Sequence, residues 1–365
     1  MPTQALQHSP LYEWHVAAGA KMAPFGGWEM PVEYAGAGVL AEHAAVREKV
    51  GLFDVSHLGK LHVTGPGAVD YLNSRLANDL RKVGPGKAQY TLLCDQDGGA
   101  IDDLIAYLHD DDDVLLIPNA ANASTVAQVL ADGAPGGLSI DDLHTERAVI
   151  VVSGPRSDEL LSSLGLPTRL SYMAFQPFGE KATICRTGYT GERGCELVVE
   201  SSQAERWWTR LLDAGDSLGV QACGLGARDT LRTEMGYALH GHELSLDIDP
   251  VTAGLSWAIG WSKPAFDGRD ALLAIREQGP ARKSWGIKAT GRGIPRPGMD
   301  VLDDDSGEVV GVVTSGTFSP TLHTGVGLAL VDTGLGAPGR VGVQIRRRAE
   351  EFELVKPPFV KPRLR

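Results

Sequence analysis

The run Gly98 to Leu108, GGAIDDLIAYL, sets the hardest condition on what this chain can fold into. Preceded by QYTLL and the turn-rich CDQD, it reads as the second strand of a hairpin. Alternation puts Ile101, Asp103, Ile105 and Tyr107 on one face, and Asp102, Leu104, Ala106 and Leu108 on the other. Both faces are apolar, so both need a cover, yet each carries one carboxylate. Burying a carboxylate without a partner is costly. Two arrangements meet that cost: the strand begins at an exposed turn, or a carboxylate is aimed into a cleft to meet a cationic or N–H-bearing ligand.

Around this strand the pattern alternates between helix and sheet. Residues 36–50 read as a helix with Val39, Leu40, Val46 and Val50 in a stripe. KLHVT, 60–64, alternates like a strand, and 67–80 reads as a helix with Val69, Leu72, Leu76 and Leu80 in period. Asp110 to Asp113 reads as a solvated loop tip before VLLIP. After about residue 144 the pattern restarts with RAVIVVSG and a short helix. KATICR and CELVVE then flank the loop TGYTGERG, and 203–214 is an amphipathic helix. Beyond Gly279-Pro280, short runs (SWGIKA, VVGVVTS, GVGLALV, RVGVQIR) separated by glycine and proline predict a small β-barrel or roll. The ending KPPFVKPRLR is predicted to lie on the surface.

A chain of 365 residues exceeds what one core usually organises, so two or three domains are expected. The formal net charge of -12 argues against nucleic acid or an anionic membrane as partner. No segment approaches the roughly 20 apolar residues of a membrane helix. Met1 to Pro10 has neither a basic start nor an apolar stretch, so the expected location is cytoplasmic. Cys94, Cys185, Cys195 and Cys223 form no C-x-x-C pair and are expected to be reduced and packed. Phosphate-loop, nucleophile-elbow and dinucleotide motifs are missing. His240 and His242 make an H-x-H, but no third ligand lies near in sequence, so no metal is expected.

Two further segments stand out. In GLGARDTLRTEMG, 224–236, Arg228 falls near a helix start, where a cation opposes the helix dipole. It is either paired with an acid such as Asp229 or part of an anion site. In RTGYTGERGCE, 186–196, Gly188, Gly191 and Gly194 allow close backbone approach, with Tyr189 as a flat wall. Alternation pairs Glu196 with Glu200 and predicts a solvent-facing Glu196.

Six segments in order, LYEWHVAAGAKMAPFGGWEMP, VGLFDVSHLGK, GGAIDDLIAY, RTGYTGERGCE, GLGARDTLRTEMG and TSGTFSPTL, resemble the aminomethyltransferase (T-protein) family nearly end to end. The resemblance implies an α+β cloverleaf of three domains around a central folate channel. The first would be discontinuous, residues 1–60 plus 142–248. The second would be 61–141 plus 249–279, and a C-terminal β-roll would span 280–365. It implies that Asp103 is the functional carboxylate beside the reactive folate nitrogens. Glu196 would hold the N–H edge of the pterin, Tyr189 would line the pocket and Arg228 would meet the glutamyl carboxylate. Tyr90, Asn119 and Trp257 fall on matching motifs, and Arg296 resembles an arginine at the channel mouth. Three positions depart from the family: Leu58 in DVSHL, His240 in place of a tyrosine, and Lys361 in place of a tail-binding arginine. Lysine keeps the charge and loses the bidentate fork.

The activity implied is transfer of the methylene carbon of an aminomethyl group, carried on the dihydrolipoyl arm of the H-protein of the glycine cleavage system. Its acceptor would be tetrahydrofolate, giving 5,10-methylenetetrahydrofolate and ammonia with no metal. Two relatives of that family remain as alternatives: a folate-dependent demethylase of a small methylated substrate, and a non-catalytic folate-binding protein of iron–sulfur maintenance. The latter resemble K-G-C-Y-x-G-Q where this chain reads R-T-G-Y-T-G-E, with no cysteine at 188.

Overall fold

A computed structural model describes residues 5–179, 181–335 and 339–364. The hairpin read around the double aspartate forms, with Lys87–Cys94 antiparallel to Ala100–Asp110. Ala100–Asp110 lies inside a five-stranded sheet, flanked on its other side by Asp113–Ile117, then Leu61–Thr64 and Ser139–Asp142. Helices Ala68–Arg75 and Ala123–Asp132 cover one face, where Leu104, Ala106, Leu108, Leu116 and Val126 are buried together. The helix expected over 67–80 stops at Arg75, because Leu76 turns extended to bridge Leu93. Leu80–Lys82 forms a separate turn capped by Asp79. Val69, Leu72, Leu76 and Leu80 still share one core, so the period reported burial without continuity.

A six-stranded sheet draws on distant segments. Val50–Asp54 sits between Arg147–Ser153 and Val220–Ala222, and the order continues through Gly194–Glu200, Ala182–Cys185 and Phe175–Phe178. Its outer face buries Leu52, Ile150, Leu197 and Ile184 under helices Ser157–Ser163 and Ala204–Gly215, with Trp208 fully enclosed. Its inner face meets the five-stranded sheet. Phe53, Val149, Val151 and Val198 pack there against Tyr107, Leu115 and Ile117. Both sheets are therefore covered twice, as the apolar runs require. A small third sheet, Gln7–His8, Trp28–Tyr34 and Ala20–Phe25, lies beside them.

Six strands close the C-terminal barrel in the order Arg282–Ala289, Thr324–Asp332, Val309–Ser319, Asp300–Asp303, Arg340–Ile345 and Arg348–Val355. Asp300–Asp303 and Arg348–Val355 were not singled out in the sequence. In the latter only alternate residues such as Phe352 and Leu354 point inward among exposed charges. The barrel meets helix Leu225–Met235 through a buried ionic knot. Arg47 reaches Glu192 at 2.9 Å and Glu234 at 2.7 Å, and Glu234 also accepts from Ser319 and Thr321 of the barrel side. The final segment lies on the surface as expected, but it is tied down: the Phe359 N–H donates to Glu234 O and the Arg363 N–H to Gly191 O.

Candidate active site

Two side chains that break the apolar pattern, Asp103 and Glu196, lie on the inner faces of the two facing sheets. Asp103 projects from Ala100–Asp110 on the face of Ile105 and Tyr107, as alternation requires. The Tyr90 hydroxyl, from the neighbouring strand, donates to Asp103 Oδ2 at 2.9 Å. The Asn119 amide donates to Asp103 Oδ1 at 3.0 Å and to Asp103 O at 2.9 Å. Asp103 is half-buried and Asp102 fully buried, so the strand does not begin at an exposed turn. Burial raises the pKa of Asp103, opposed by the Tyr90 hydrogen bond, the nearby His240 imidazole and the Asn119 amide. Asp102 is pushed up to about 8 by burial and by the like charge of Asp103.

Across the gap, Glu196 is not solvent-facing. It shares its strand face with Val198, in the core between the sheets, and is 9% exposed. Period-two alternation failed here because this strand is covered on both sides, leaving no wet face to which Glu196 could be assigned. Thr187 Oγ1 donates to Glu196 Oε2 at 2.5 Å, and the Tyr107 hydroxyl approaches the same oxygen at 3.4 Å.

Arg228 is the fourth residue of helix Leu225–Met235. It does not pair with Asp229, whose carboxylate goes to Arg232 at 2.7 Å. Its guanidinium carbon lies 4.8 Å from the Tyr189 ring centroid, and its Nη1 is buried with no hydrogen-bond partner among the described residues. Burial pulls its pKa down, while Glu196 and Tyr189 oppose the shift. A buried guanidinium N–H without an acceptor is expensive, and an anionic ligand group would satisfy it. Tyr189 stacks on Tyr237, ring centroids 5.7 Å apart, and donates its hydroxyl to Ala238 O. Burial raises the Tyr189 pKa, so its ring is a neutral wall. Acceptor carboxylates, flat walls and an unsatisfied cation are a donor–acceptor set for a planar, hydrogen-bond-rich ligand with an anionic tail.

Residues 11–263 match the family model described as the GCVT N-terminal domain, and residues 282–361 match that of the glycine cleavage T-protein C-terminal barrel domain. The chain belongs to the glycine cleavage T-protein family. It is 57% identical over 358 residues to the aminomethyltransferase of Parafrankia sp., covering 97% of this chain and 98% of the relative. It is 54% identical over 365 residues to that of Mycobacterium tuberculosis, covering 99% and 98%. The fold aligns with the crystal structure of glycine cleavage system aminomethyltransferase T from Bartonella henselae at TM-score 0.93 and 35% identity, over 98% of this chain and 99% of that one.

Other positions expected from the T-protein resemblance sit further out. Trp257 stacks on Tyr90 at 5.5 Å and is 67% exposed, on the rim of the Asp103 cluster. Arg296 is exposed at the barrel edge, donating to Gly316 O at 3.2 Å, and Lys361 is exposed with no hydrogen bond to the cluster. His240 and His242 reach separate carbonyls, Ala100 O and Thr314 O, at 3.0 and 2.8 Å. All four cysteines are free and buried. Thr187, Tyr107 and Asn122 complete the polar contacts and were not singled out. Tyr107 was visible on the face of Asp103, but nothing in the sequence joined it to Glu196, 89 positions away.

Proposed function

We propose that this chain is the tetrahydrofolate-dependent aminomethyltransferase of a cytoplasmic glycine cleavage system, taking its aminomethyl group from the dihydrolipoyl arm of a lipoylated H-protein. The products would be 5,10-methylenetetrahydrofolate and ammonia. One observation carries this reading within the family: the buried, unpartnered Nη1 of Arg228, set over the Tyr189 ring and near enough to Glu196 to feel its charge. Those residues suit a reduced folate, which offers an N–H-rich ring at one end and carboxylates at the other.

Bound tetrahydrofolate would supply the nitrogens that accept the transferred carbon. Glu196, fixed by Thr187, would accept from the N–H edge of the pterin. Arg228 would meet a tail carboxylate, and Tyr189 and Tyr237 would flank the ligand and exclude water. Tyr90 and Asn119 fix both oxygens of Asp103, so its carboxylate is set in place before the carbon moves. Such a fixed charge favours positive charge developing on the transferred carbon more than it favours the ground state. Trp257, Arg296 and Lys361 would lie toward the entrance, where the lipoyl arm and the folate tail are accommodated. In the same reading the cloverleaf divides into residues 1–60 plus 142–248, 61–141 plus 249–279, and 280–365.

The test is ammonia release from aminomethylated H-protein, measured with and without tetrahydrofolate. Release that is fast only with folate, matched by methylenetetrahydrofolate, is the expected result. Equal release in both, or no release, removes the proposal.

A further inference from the structure

Asp102 and Asp103 point to opposite faces of one strand, yet a single amide joins them. The Asn119 side chain donates to Asp102 Oδ1 at 2.9 Å as well as to Asp103, and the Asn119 backbone N–H donates to Asp102 Oδ2 at 2.9 Å. The Asn122 amide, one turn later, donates to Asp102 Oδ1 at 2.7 Å. Asp102 is fully buried and its oxygens face three N–H donors from the segment 119–122, a set that only the ionised carboxylate satisfies and that opposes the upward pull of burial and Asp103. That segment starts just after the strand Asp113–Ile117 and leads into helix Ala123–Asp132. Asn119 makes no side-chain cap to the turn that follows it, so its amide is left for the two aspartates.

We propose that Asp102, steadied by Asn122, is a positioning residue that fixes Asn119 and through it the reacting carboxylate of Asp103. The inference rests on the role assigned above to Asp103. Its logic is one of acceptors. Without Asp102, the Asn119 amide would keep only the acceptors of Asp103, its Oδ1 and its backbone O. With Asp102 accepting from both its backbone N–H and its side chain, the amide nitrogen is forced toward Asp103 Oδ1. Asp102→Asn would keep the shape and spoil this. It presents an amide NH2 where one oxygen stood, so either the Asn119 N–H or the two side-chain amides face a donor.

The experiment compares Asp102→Asn, Asn122→Ala and Asp103→Asn in the full chain, with aminomethylated H-protein and tetrahydrofolate both varied to saturation. Asp102→Asn is expected to lose about ten- to hundredfold in kcat, the range usual for a residue acting through another. The KM for folate should rise by a smaller factor. Asn122→Ala should lose about two- to tenfold in kcat, as for one neutral hydrogen bond. Asn122 is only half-buried, so this variant folds even where Asp102→Asn does not. A purely structural role would lower the melting temperature and leave kcat at saturation unchanged. That outcome, or a loss confined to KM, overturns the inference. If Asp103→Asn is crippled while the other two turn over like wild type, the positioning role alone fails. If Asp103→Asn is itself unimpaired, the role of Asp103 has failed first.

Discussion

Asp103→Asn keeps the shape of the side chain and removes its charge, so the melting curve should change little. Its amide can still contact Tyr90, and folate binding should fall only modestly. The loss should appear in single-turnover formation of methylenetetrahydrofolate, about a hundred- to thousandfold for one preorganised electrostatic contact. A variant within about threefold of wild type would withdraw the role. Glu196→Ala should weaken folate binding by roughly 1.5–3 kcal/mol, the worth of a charged acceptor. Isothermal titration decides this, and an unchanged affinity would make Glu196 a support for Thr187 and Tyr107 alone. Arg228→Ala should cost more affinity for folates with a glutamyl tail than for tail-less pterins. Equal losses would mean that the guanidinium serves only to stack on Tyr189. At this scale the sequence was readable where a residue defied its neighbours: two carboxylates in an apolar strand, an arginine near a helix start. It was unreadable for Glu196, whose neighbours fit an ordinary outward alternation until the second sheet is placed against them.

Helices and strands meet at the knot around Glu234, which no local pattern signals because Arg47 lies 187 positions away. Burial alone would raise the Glu234 pKa, but hydrogen bonds and charge from His43, with Ser319 and Arg47, outweigh it and hold Glu234 at about 2. A carboxyl depressed when folded contributes stability that is complete above its unfolded value near 4.3 and is lost as pH falls toward 2. Glu234→Gln should therefore be less stable than wild type at neutral pH, with the gap narrowing between about pH 4 and pH 2 in denaturant titrations. A gap that stays constant with pH would exclude this linkage. The same logic explains what was legible in the barrel. Its apolar strands announced themselves, while Asp300–Asp303 and Arg348–Val355 carry enough charge on their wet side to pass for loop.

For the molecule as a whole, tetrahydrofolate should raise the melting temperature with concentration, following the logarithm of occupancy expected of a ligand that binds only the folded chain. Scanning calorimetry over a folate series checks this, and a flat series would leave the space between the sheets without its proposed occupant. Two breaks in pattern, near residue 144 and near Gly279-Pro280, coincide with changes of sheet. The pairing of Val50–Asp54 with strands far downstream could not be read, since hydrophobic pattern carries no information about distant partners. That pairing matters during synthesis. The sheet built from Leu61–Thr64 through Ser139–Asp142 has all its strands once residue 142 has left the ribosome. Val50–Asp54 was made earlier, but its outer neighbour Val220–Ala222 emerges last. At the usual pace of elongation it waits roughly ten to thirty seconds for that neighbour. Throughout that interval an apolar strand, VGLFD, is exposed to the cell with an open edge. Slow codons between residues 54 and 220 would lengthen the interval in which that edge has no partner.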